Sequence, residues 1–505
     1  MASANEQSPP NEGSNVIRFS EVAPPDALDL LSEVTQQLEQ AQRTPGLRLE
    51  ALIDRIEAAD QRGAAPLQEL TQRFLAGCGH ADPAQQIRMW EAVSAYLARL
   101  ASAYCALVRR FQTYDAGWAG VGDRLPVVIA RALRATGSRV KWMRLRYQPI
   151  TPDIWKTLSQ LCSYIEDKGL IRSRVFVYDD LSTLQRELTK PLMFAMSAAD
   201  SLPPAEIDMV DRLVSHLAGR FCIQRHPARG IGFVLDIDRW FMPGRHRRGE
   251  EIRLGSRFFG PGEAMADLEA LSERLASGDI SSRDLNLDGV ADVEQVVGVM
   301  AHLERHWSAD RPKRRNRREQ VTARMTVVLD YPEIVQRVAE RDQADVAGEE
   351  EAIELWGLDN ESEAGMGALV PVDRGEQLGI GGLVGMRLTD TQTWSIGVIR
   401  RLAAHDAARR TVGIELLARG AQGVDVCDAD NGERLATGLM LPSPTQRAAD
   451  QKEISVLLPG RIFSAERSLE MKAFDQRYRL QPLMVVESGK NFEVGRFHID
   501  GRGAA

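Results

Sequence analysis

The spacing of apolar residues changes along this chain, and that change limits the folds it can adopt. From residue 26 to about residue 217, apolar residues recur every three or four positions, which is the period of an α-helix. In "ALDLLSEVTQQLEQ", for example, Leu28, Leu31 and Val34 share one face of a predicted helix. Beyond residue 319 the apolar residues are often β-branched and stand in short runs separated by Gly, Asp and Asn, as in strands. The sequence therefore predicts a multidomain α+β protein, mostly α-helical at its N-terminal end and β-rich at its C-terminal end.

A chain of 505 residues is too long for one hydrophobic core. We predict a disordered tail over residues 1–25, which are rich in Ser, Pro, Asn and Glu and lack the apolar stretch of a signal peptide. A helical domain, a mixed α/β connecting region and a β-barrel follow. The last part is a C-terminal β-rich extension or a second small barrel. The predicted boundaries of these four parts are 26–218, 219–310, 311–420 and 421–505.

The strand-like runs of the C-terminal half are evenly spaced, which predicts a small closed barrel. The first group of runs is "VTARMTVVLDY", "GMGALVPV", "GLVGMRL", "WSIGVIRRL" and "TVGIELL". A second group follows a polar linker: "EISVLLPG", "SLEMKAF", "YRLQPLMVVES" and "NFEVGRFHI". No stretch approaches the roughly 18 apolar residues that a membrane span requires, so we expect a cytoplasmic protein without a membrane span.

The composition argues against several classes of function. The net charge of -8 disfavours a general binder of nucleic acids or anionic membranes, although it permits one local basic site. The cysteines lie far apart and form no CxxC pair, so they indicate free thiols in a reducing compartment and neither a zinc site nor a disulfide framework. These cysteines are Cys78, Cys105, Cys162, Cys222 and Cys427. No nucleophile, base and acid can be assembled into a catalytic group, and we predict neither an enzyme nor a cofactor.

Two motifs imitate metal sites. In "AHLERHW", His302 and His306 share a helix face, but Leu303 stands where a zinc protease has its glutamate, which disfavours a metal site. "DLNLDGVADVEQ" has the spacing of a calcium loop but ends on Gln295 in place of the bidentate glutamate. We favour a turn in this loop, with Asp292 as the N-cap of the next helix, and leave calcium binding open.

The stretch "RPKRRNRREQ", residues 311–320, concentrates six basic side chains and one acid in an acidic chain. It is a solvated linker, a nucleic-acid-binding arm, or one part of a ligand site. Arg314 and Arg318 form an RxxxR pair in it, with Arg315 and Arg317 between them. A predicted barrel strand follows at once.

A second motif lies further along the chain, in "NESEAG". Asn360, Ser362 and Gly365 there follow an [D/N]xSxxG pattern and open the strand "MGALV". An RxxxR run that enters a barrel, then this pattern, then "WSIGVIRRL" and "VGIELL", resembles the PilZ domain family. The resemblance covers residues 311–419, about a fifth of the chain.

PilZ domains are bacterial receptors for cyclic di-GMP, so the resemblance implies a cyclic di-GMP effector. Guanidinium groups suit this ligand because they pair with phosphates, grip the O6/N7 edge of guanine and stack on its face. By the resemblance, the arginines form a flexible arm and Asn360, Ser362 and Gly365 belong to the barrel face. Asn360 and Ser362 are expected to contact a base or phosphate, and Gly365 to allow a close backbone approach. The expected ligand-binding residues are Arg314, Arg315, Arg317, Arg318, Asn360, Ser362 and Gly365.

This sequence departs from the family pattern in two ways. An acidic loop, "GEEEAIE" at residues 348–354, lengthens the gap between the motifs and offers carboxylates that compete for the arginines. Asn360 also replaces the aspartate form of the motif, which keeps a hydrogen-bond acceptor but loses a charge. The expected role is to couple the nucleotide to a protein partner of the helical region in motility, pilus or biofilm regulation. The alternative is an adaptor that uses the basic run 311–318 to bind nucleic acid, or one that binds only protein.

Overall fold

A computed structural model of the chain shows how these patterns fold. The residues that it describes are 26–44, 46–78, 82–113, 121–178, 180–247, 249–287, 292–309, 319–339, 353–372, 378–389, 391, 393–406, 408–442, 453–473 and 476–504. The predicted tail, residues 1–25, lies outside them. Among the described residues, no helix is both long and apolar enough to cross a membrane.

The N-terminal region is helical, as its apolar period predicts. Its helices are α1 (Ala27–Arg43), α2 (Leu49–Gly77), α3 (Pro83–Thr113), α4 (Leu125–Leu145), α5 (Pro152–Asp167), α6 (Leu184–Ala195) and α7 (Pro204–Leu217). Two short antiparallel strands interrupt them, β1 (Arg174–Val177) and β2 (Asp180–Thr183). The sequence did not predict this hairpin. Strands of four residues carry too little periodic signal to stand out from the flanking helices.

A buried carboxylate joins three elements of this region. Glu187 on α6 is 1% exposed. Its oxygens accept hydrogen bonds from Arg134 Nε at 3.0 Å, Lys190 Nζ at 3.0 Å and Ser182 Oγ at 2.6 Å. Burial alone would raise the pKa of Glu187, but the bonds from Arg134 and the charge of Lys190 outweigh it and lower the pKa from 4.5 to about 2. Ionised Glu187 therefore stabilises the contact of α4 with α6.

The middle of the chain forms a small sheet and two helices. The strands are β3 (Cys222–Gln224), β4 (Phe233–Asp236), β5 (Gly244–Arg245) and β6 (Ser256–Gly260), in the antiparallel order β3-β6-β4-β5, followed by α8 (Ala264–Ser277) and α9 (Val293–Trp307). The stretch "EEIRLG" alternates apolar and polar residues as a strand does, but it precedes β6 and is not part of it. Asp292 accepts a hydrogen bond from the backbone N–H of Gln295 and caps α9, as predicted.

The C-terminal half consists of two closed six-stranded barrels. The first contains β7 (Glu319–Leu329), α10 (Tyr331–Ala339), β8 (Ile353–Ser362), β9 (Gly365–Pro371), β10 (Leu383–Leu388), β11 (Ser395–Ala404) and β12 (Arg409–Arg419). The second contains β13 (Gln422–Asp428), β14 (Arg434–Leu441), β15 (Glu453–Pro459), β16 (Leu469–Ala473), β17 (Gln476–Ser488) and β18 (Phe492–Ala504). The predicted α+β class is confirmed, and the C-terminal extension is a second barrel.

The two barrels share one topology. Around each barrel the strands follow the order first, second, third, sixth, fifth, fourth, and the fourth strand pairs back with the first. Helix α10 packs between the barrels, where the Tyr331 hydroxyl donates to the Thr437 carbonyl at 2.7 Å. The first barrel also contacts the helical region, since the N–H of Ala404 donates to the carbonyl of Tyr147 at 3.0 Å.

The buried carboxylate of Glu187 leads to a pH-dependence prediction. Because the pKa of Glu187 is lower in the folded protein than in the unfolded one, its ionised carboxylate stabilises the fold above pH 4.5. This stabilisation is lost as the pH falls from 4.5 through about 2. We expect Glu187→Gln to cost about 3 kcal/mol of unfolding free energy at neutral pH and to have a weaker pH dependence than the wild type in this window. Denaturant titrations across this pH range measure both. Glu69→Gln, which removes an exposed partner of Arg73, is the control and should change little. Parallel pH profiles for wild type and Glu187→Gln would contradict the prediction.

Candidate functional site

The pairing of β7 with β8 places the end of the basic run next to the second sequence motif. Glu319, the first residue of β7, lies opposite Glu361, and Gln320 lies opposite Asn360. Arg318 is the residue directly before Glu319 in the chain. The basic run therefore ends beside the hairpin that carries the [D/N]xSxxG pattern.

Simple chain geometry sets how far the arginines can lie from this hairpin. Paired Cα atoms in an antiparallel sheet are about 4.5–5.5 Å apart, and consecutive Cα atoms about 3.8 Å. The Cα of Arg318 is therefore within about 10 Å of the Cα of Glu361, and Arg314 is at most about 14 Å further along the chain. Arg314, Arg315, Arg317 and Arg318 themselves lie outside the described residues, so the placement of their side chains stays a prediction.

The amide of Asn360 is held in a fixed orientation. Its Nδ2 donates to Asp359 Oδ2 at 2.7 Å. A Cβ on Gly367, its partner on β9, would lie 2.6 Å from Nδ2 and 2.7 Å from Oδ1, so only glycine leaves room for the amide. Oδ1 is buried and accepts no hydrogen bond from the described residues. A buried acceptor without a donor is costly, so a ligand N–H or a water molecule that reached it would stabilise the site.

Ser362 and Gly365 close the hairpin between β8 and β9. The Ser362 hydroxyl donates to the carbonyl of Gly365 at 3.0 Å, and its oxygen keeps lone pairs that can accept from a ligand. A Cβ on Gly365 would lie 2.4 Å from the carbonyl oxygen of Ile414 on β12. The close approach of β12 therefore excludes a side chain at Gly365.

Two carboxylates and one arginine lie at the same end of the barrel, with Glu361 turned to the opposite face of β8 from Asn360 and Ser362. Glu361, between Asn360 and Ser362, accepts a hydrogen bond from Arg419 Nη2 at 2.6 Å. Glu319 lies across from Glu361 in the β7–β8 ladder, and like charges in such a pair repel one another. Sequence patterns did not single out Glu361 or Arg419, because their contact requires β8 and β12 to approach each other through the closed barrel.

The described end of the acidic loop lies away from this hairpin. Glu354, on β8, accepts a hydrogen bond from the indole N–H of Trp356 at 2.7 Å. It precedes Asn360 by six residues along the strand, which corresponds to about 20 Å. Residues 348–352 lie outside the described residues, so their competition for the arginines stays a prediction.

The second barrel has the topology of the first but not its motifs. The connection between β14 and β15, equivalent to the β8–β9 hairpin, contains "PSPTQRAADQK" and no [D/N]xSxxG pattern. The stretch before β13, "GIELLARGA", contains no RxxxR pair. Only the first barrel therefore combines both motifs at these positions.

Residues of the two motifs that resemble metal sites form hydrogen bonds or ring contacts with other protein groups. His302 Nε2 lies 2.6 Å from the carbonyl oxygen of Ser197, and its ring is 4.4 Å from that of His306. Asp284 accepts hydrogen bonds from the backbone N–H and the hydroxyl of Ser281, both at 2.8 Å. Asp288 and Gly289 lie outside the described residues. Within the described part of the chain, no three His, Cys, Asp or Glu side chains cluster as metal ligands.

The packing around Gly365 generates a stability prediction. We expect Gly365→Ala to destabilise the protein by about 1–3 kcal/mol, because its Cβ would overlap the Ile414 carbonyl. Gly379→Ala is the matched control, since a Cβ there meets nothing within 4 Å and should change stability by no more than about 0.5 kcal/mol. Denaturant unfolding measures both variants. Equal stabilities would contradict the role of Gly365 in packing β9 against β12.

Comparison with known families gives two matches in chain order. Residues 17–228 match the family described as "Cyclic-di-GMP receptor FimW, N-terminal domain". Residues 299–423 match "Cyclic-di-GMP receptor FimW, middle PilZ domain". No curated protein matches the chain. The resemblance of the first barrel to PilZ domains is confirmed, as is its position after a helical N-terminal region.

Proposed function

The chain carries the N-terminal and middle PilZ domains of the FimW family of cyclic-di-GMP receptors, and we propose that its first barrel binds cyclic di-GMP between the RxxxR arm and the β8–β9 hairpin. The β7–β8 register supports this assignment most strongly, because it ends the arm beside Asn360 and Ser362. In this proposal the protein is a receptor that transmits the binding of the nucleotide to a partner and catalyses no reaction.

The chemistry of the ligand fits these residue types. Cyclic di-GMP presents two phosphates and two guanines. Arg314 and Arg318, with Arg315 and Arg317, pair with phosphate oxygens or with the O6/N7 edge of guanine, or stack on the base. Such charge-assisted bonds also neutralise the repulsion between the ligand and the carboxylates of Glu319 and Glu361.

The hairpin supplies the acceptors that arginines lack. Asn360 Oδ1 needs a donor, and the Watson–Crick edge of guanine carries N–H donors. Ser362 accepts from the same base or turns its hydroxyl towards a phosphate. Gly365 acts through the backbone, because it lets β12 support the hairpin from behind.

The arm is anchored at both of its ends, which suggests how binding reaches the rest of the chain. On one side it continues into β7. On the other side Arg245 of the middle sheet donates to the carbonyl of Ser308, just after α9, at 2.7 Å. A ligand that fixes the arm against the barrel therefore changes the position of α9 relative to the barrel, and with it the helices packed against α9. We place the protein partner at the helical region, in pilus, motility or biofilm regulation, and the receptor in the cytoplasm.

Calorimetry with cyclic di-GMP tests the assignment. Removal of one charged hydrogen-bonding arginine costs about 1.5–3 kcal/mol, which corresponds to about 10- to 100-fold in affinity. We expect the wild type to bind cyclic di-GMP. The Arg314→Ala/Arg318→Ala variant should lose at least this 10- to 100-fold in affinity, and Asn360→Ala should bind more weakly than the wild type. Absence of heat with the wild type would reject the proposal.

A charge-matched control separates a receptor from a nucleic-acid adaptor. Arg311→Ala/Lys313→Ala removes two positive charges from the same run but leaves the RxxxR pair intact. A receptor should lose little cyclic di-GMP affinity in this control. An adaptor that holds nucleic acid by charge alone should be weakened equally by both double variants, with a steep salt dependence and indifference to Asn360→Ala.

A further inference from the structure

The segment between β4 and β6, a loop interrupted only by the two-residue strand β5, exposes several large apolar side chains. We call five of them the apolar tip: Trp240 is 40% exposed, Phe241 67%, Met242 50%, Ile252 49% and Leu254 100%. Exposed apolar residues are ordinary when scattered, but clusters of large ones mark binding surfaces. Neither family match covers residues 229–298, so this loop lies outside both matched domains.

The fold holds both halves of the tip at one end of the middle sheet. Asp236, the last residue of β4, pairs with Ser256, the first residue of β6. Trp240 and Leu254 therefore each lie a few residues beyond the same end of this ladder. The N–H of Trp240 donates to the carbonyl of Asp236 at 3.3 Å, and the φ of 55° at Trp240 completes the tight turn.

The segment that carries the tip contains more basic than acidic residues. Residues 225–257 contain eight arginines and four acidic residues, in a chain whose net charge is -8. Arg239 and Arg247 are exposed, and the ammonium group of Lys156 lies 4.6 Å from the centre of the Trp240 ring. The segment is thus locally basic where the rest of the chain is acidic.

We propose that the apolar tip inserts into the interface of an anionic membrane. Trp and Phe favour the depth of the lipid headgroups, and arginines beside them pair with acidic headgroups. The overall negative charge of the chain opposes non-specific adsorption to an anionic membrane. The protein should therefore approach the lipid with the basic segment facing it. The complementary charge favours an anionic surface over an uncharged apolar partner, and the inference does not depend on the binding of cyclic di-GMP.

Sedimentation of the full-length protein with lipid vesicles tests the proposal. We expect binding to vesicles of equimolar phosphatidylcholine and phosphatidylglycerol, and little binding to phosphatidylcholine alone. Phe241→Ser/Met242→Ser should weaken binding about tenfold or more, because two exposed apolar side chains no longer enter the interface. Arg239→Gln/Arg247→Gln should weaken it and reduce its salt dependence.

The chain offers a matched control on the second barrel. Leu483 and Met484 on β17 are 50% and 53% exposed, close to the values of the tip. Leu483→Ser/Met484→Ser should bind vesicles like the wild type. The proposal is overturned if the wild type does not sediment with the anionic vesicles, if the Phe241→Ser/Met242→Ser variant binds as well as the wild type, or if the control variant loses binding equally.

Discussion

The pairing of β7 with β8 is the interaction on which the candidate site depends. It places the end of the basic run opposite the strand that carries Asn360 and Glu361. A shift of one residue in this register would turn the side chains to the other face of the barrel. The closed barrel prevents such a shift, because β8 is also paired with β9, and β12 lies directly against Gly365. The barrel thus fixes the β8–β9 hairpin of the candidate site.

The chain contains the same barrel topology twice. The first barrel carries both motifs, and the second repeats its strand order without them. Two neighbouring arginines of β11 contact the flanking parts of the chain: Arg401 pairs with Asp200 of the helical region at 2.5 Å, and Arg400 pairs with Glu487 of the second barrel. The first barrel therefore lies in direct contact with both neighbours.

The sequence predicted the parts of this structure that depend on local periodicity. The long helices, the four last strands and the Asp292 cap were found because each has a repeating or capping signal of its own. Strand β8, "IELWGLDNES", was missed because polar residues break its alternation, and "EEIRLG" imitated a strand although Ile252 and Leu254 are exposed. The contact of Glu361 with Arg419 was not predictable, because it requires the closed barrel. The motifs indicated which residues to compare, and only the strand register shows that Glu319 and Gln320, at the end of the basic run, lie opposite Glu361 and Asn360.

A crystal structure of the full chain with cyclic di-GMP tests the central claim most directly. The account predicts the ligand against the β8–β9 hairpin, with Arg314 and Arg318 contacting a phosphate or a guanine and Asn360 Oδ1 accepting from a base. Ligand bound elsewhere on the chain, or the two arginines paired with the glutamates of residues 348–354 while the ligand is bound, would contradict it.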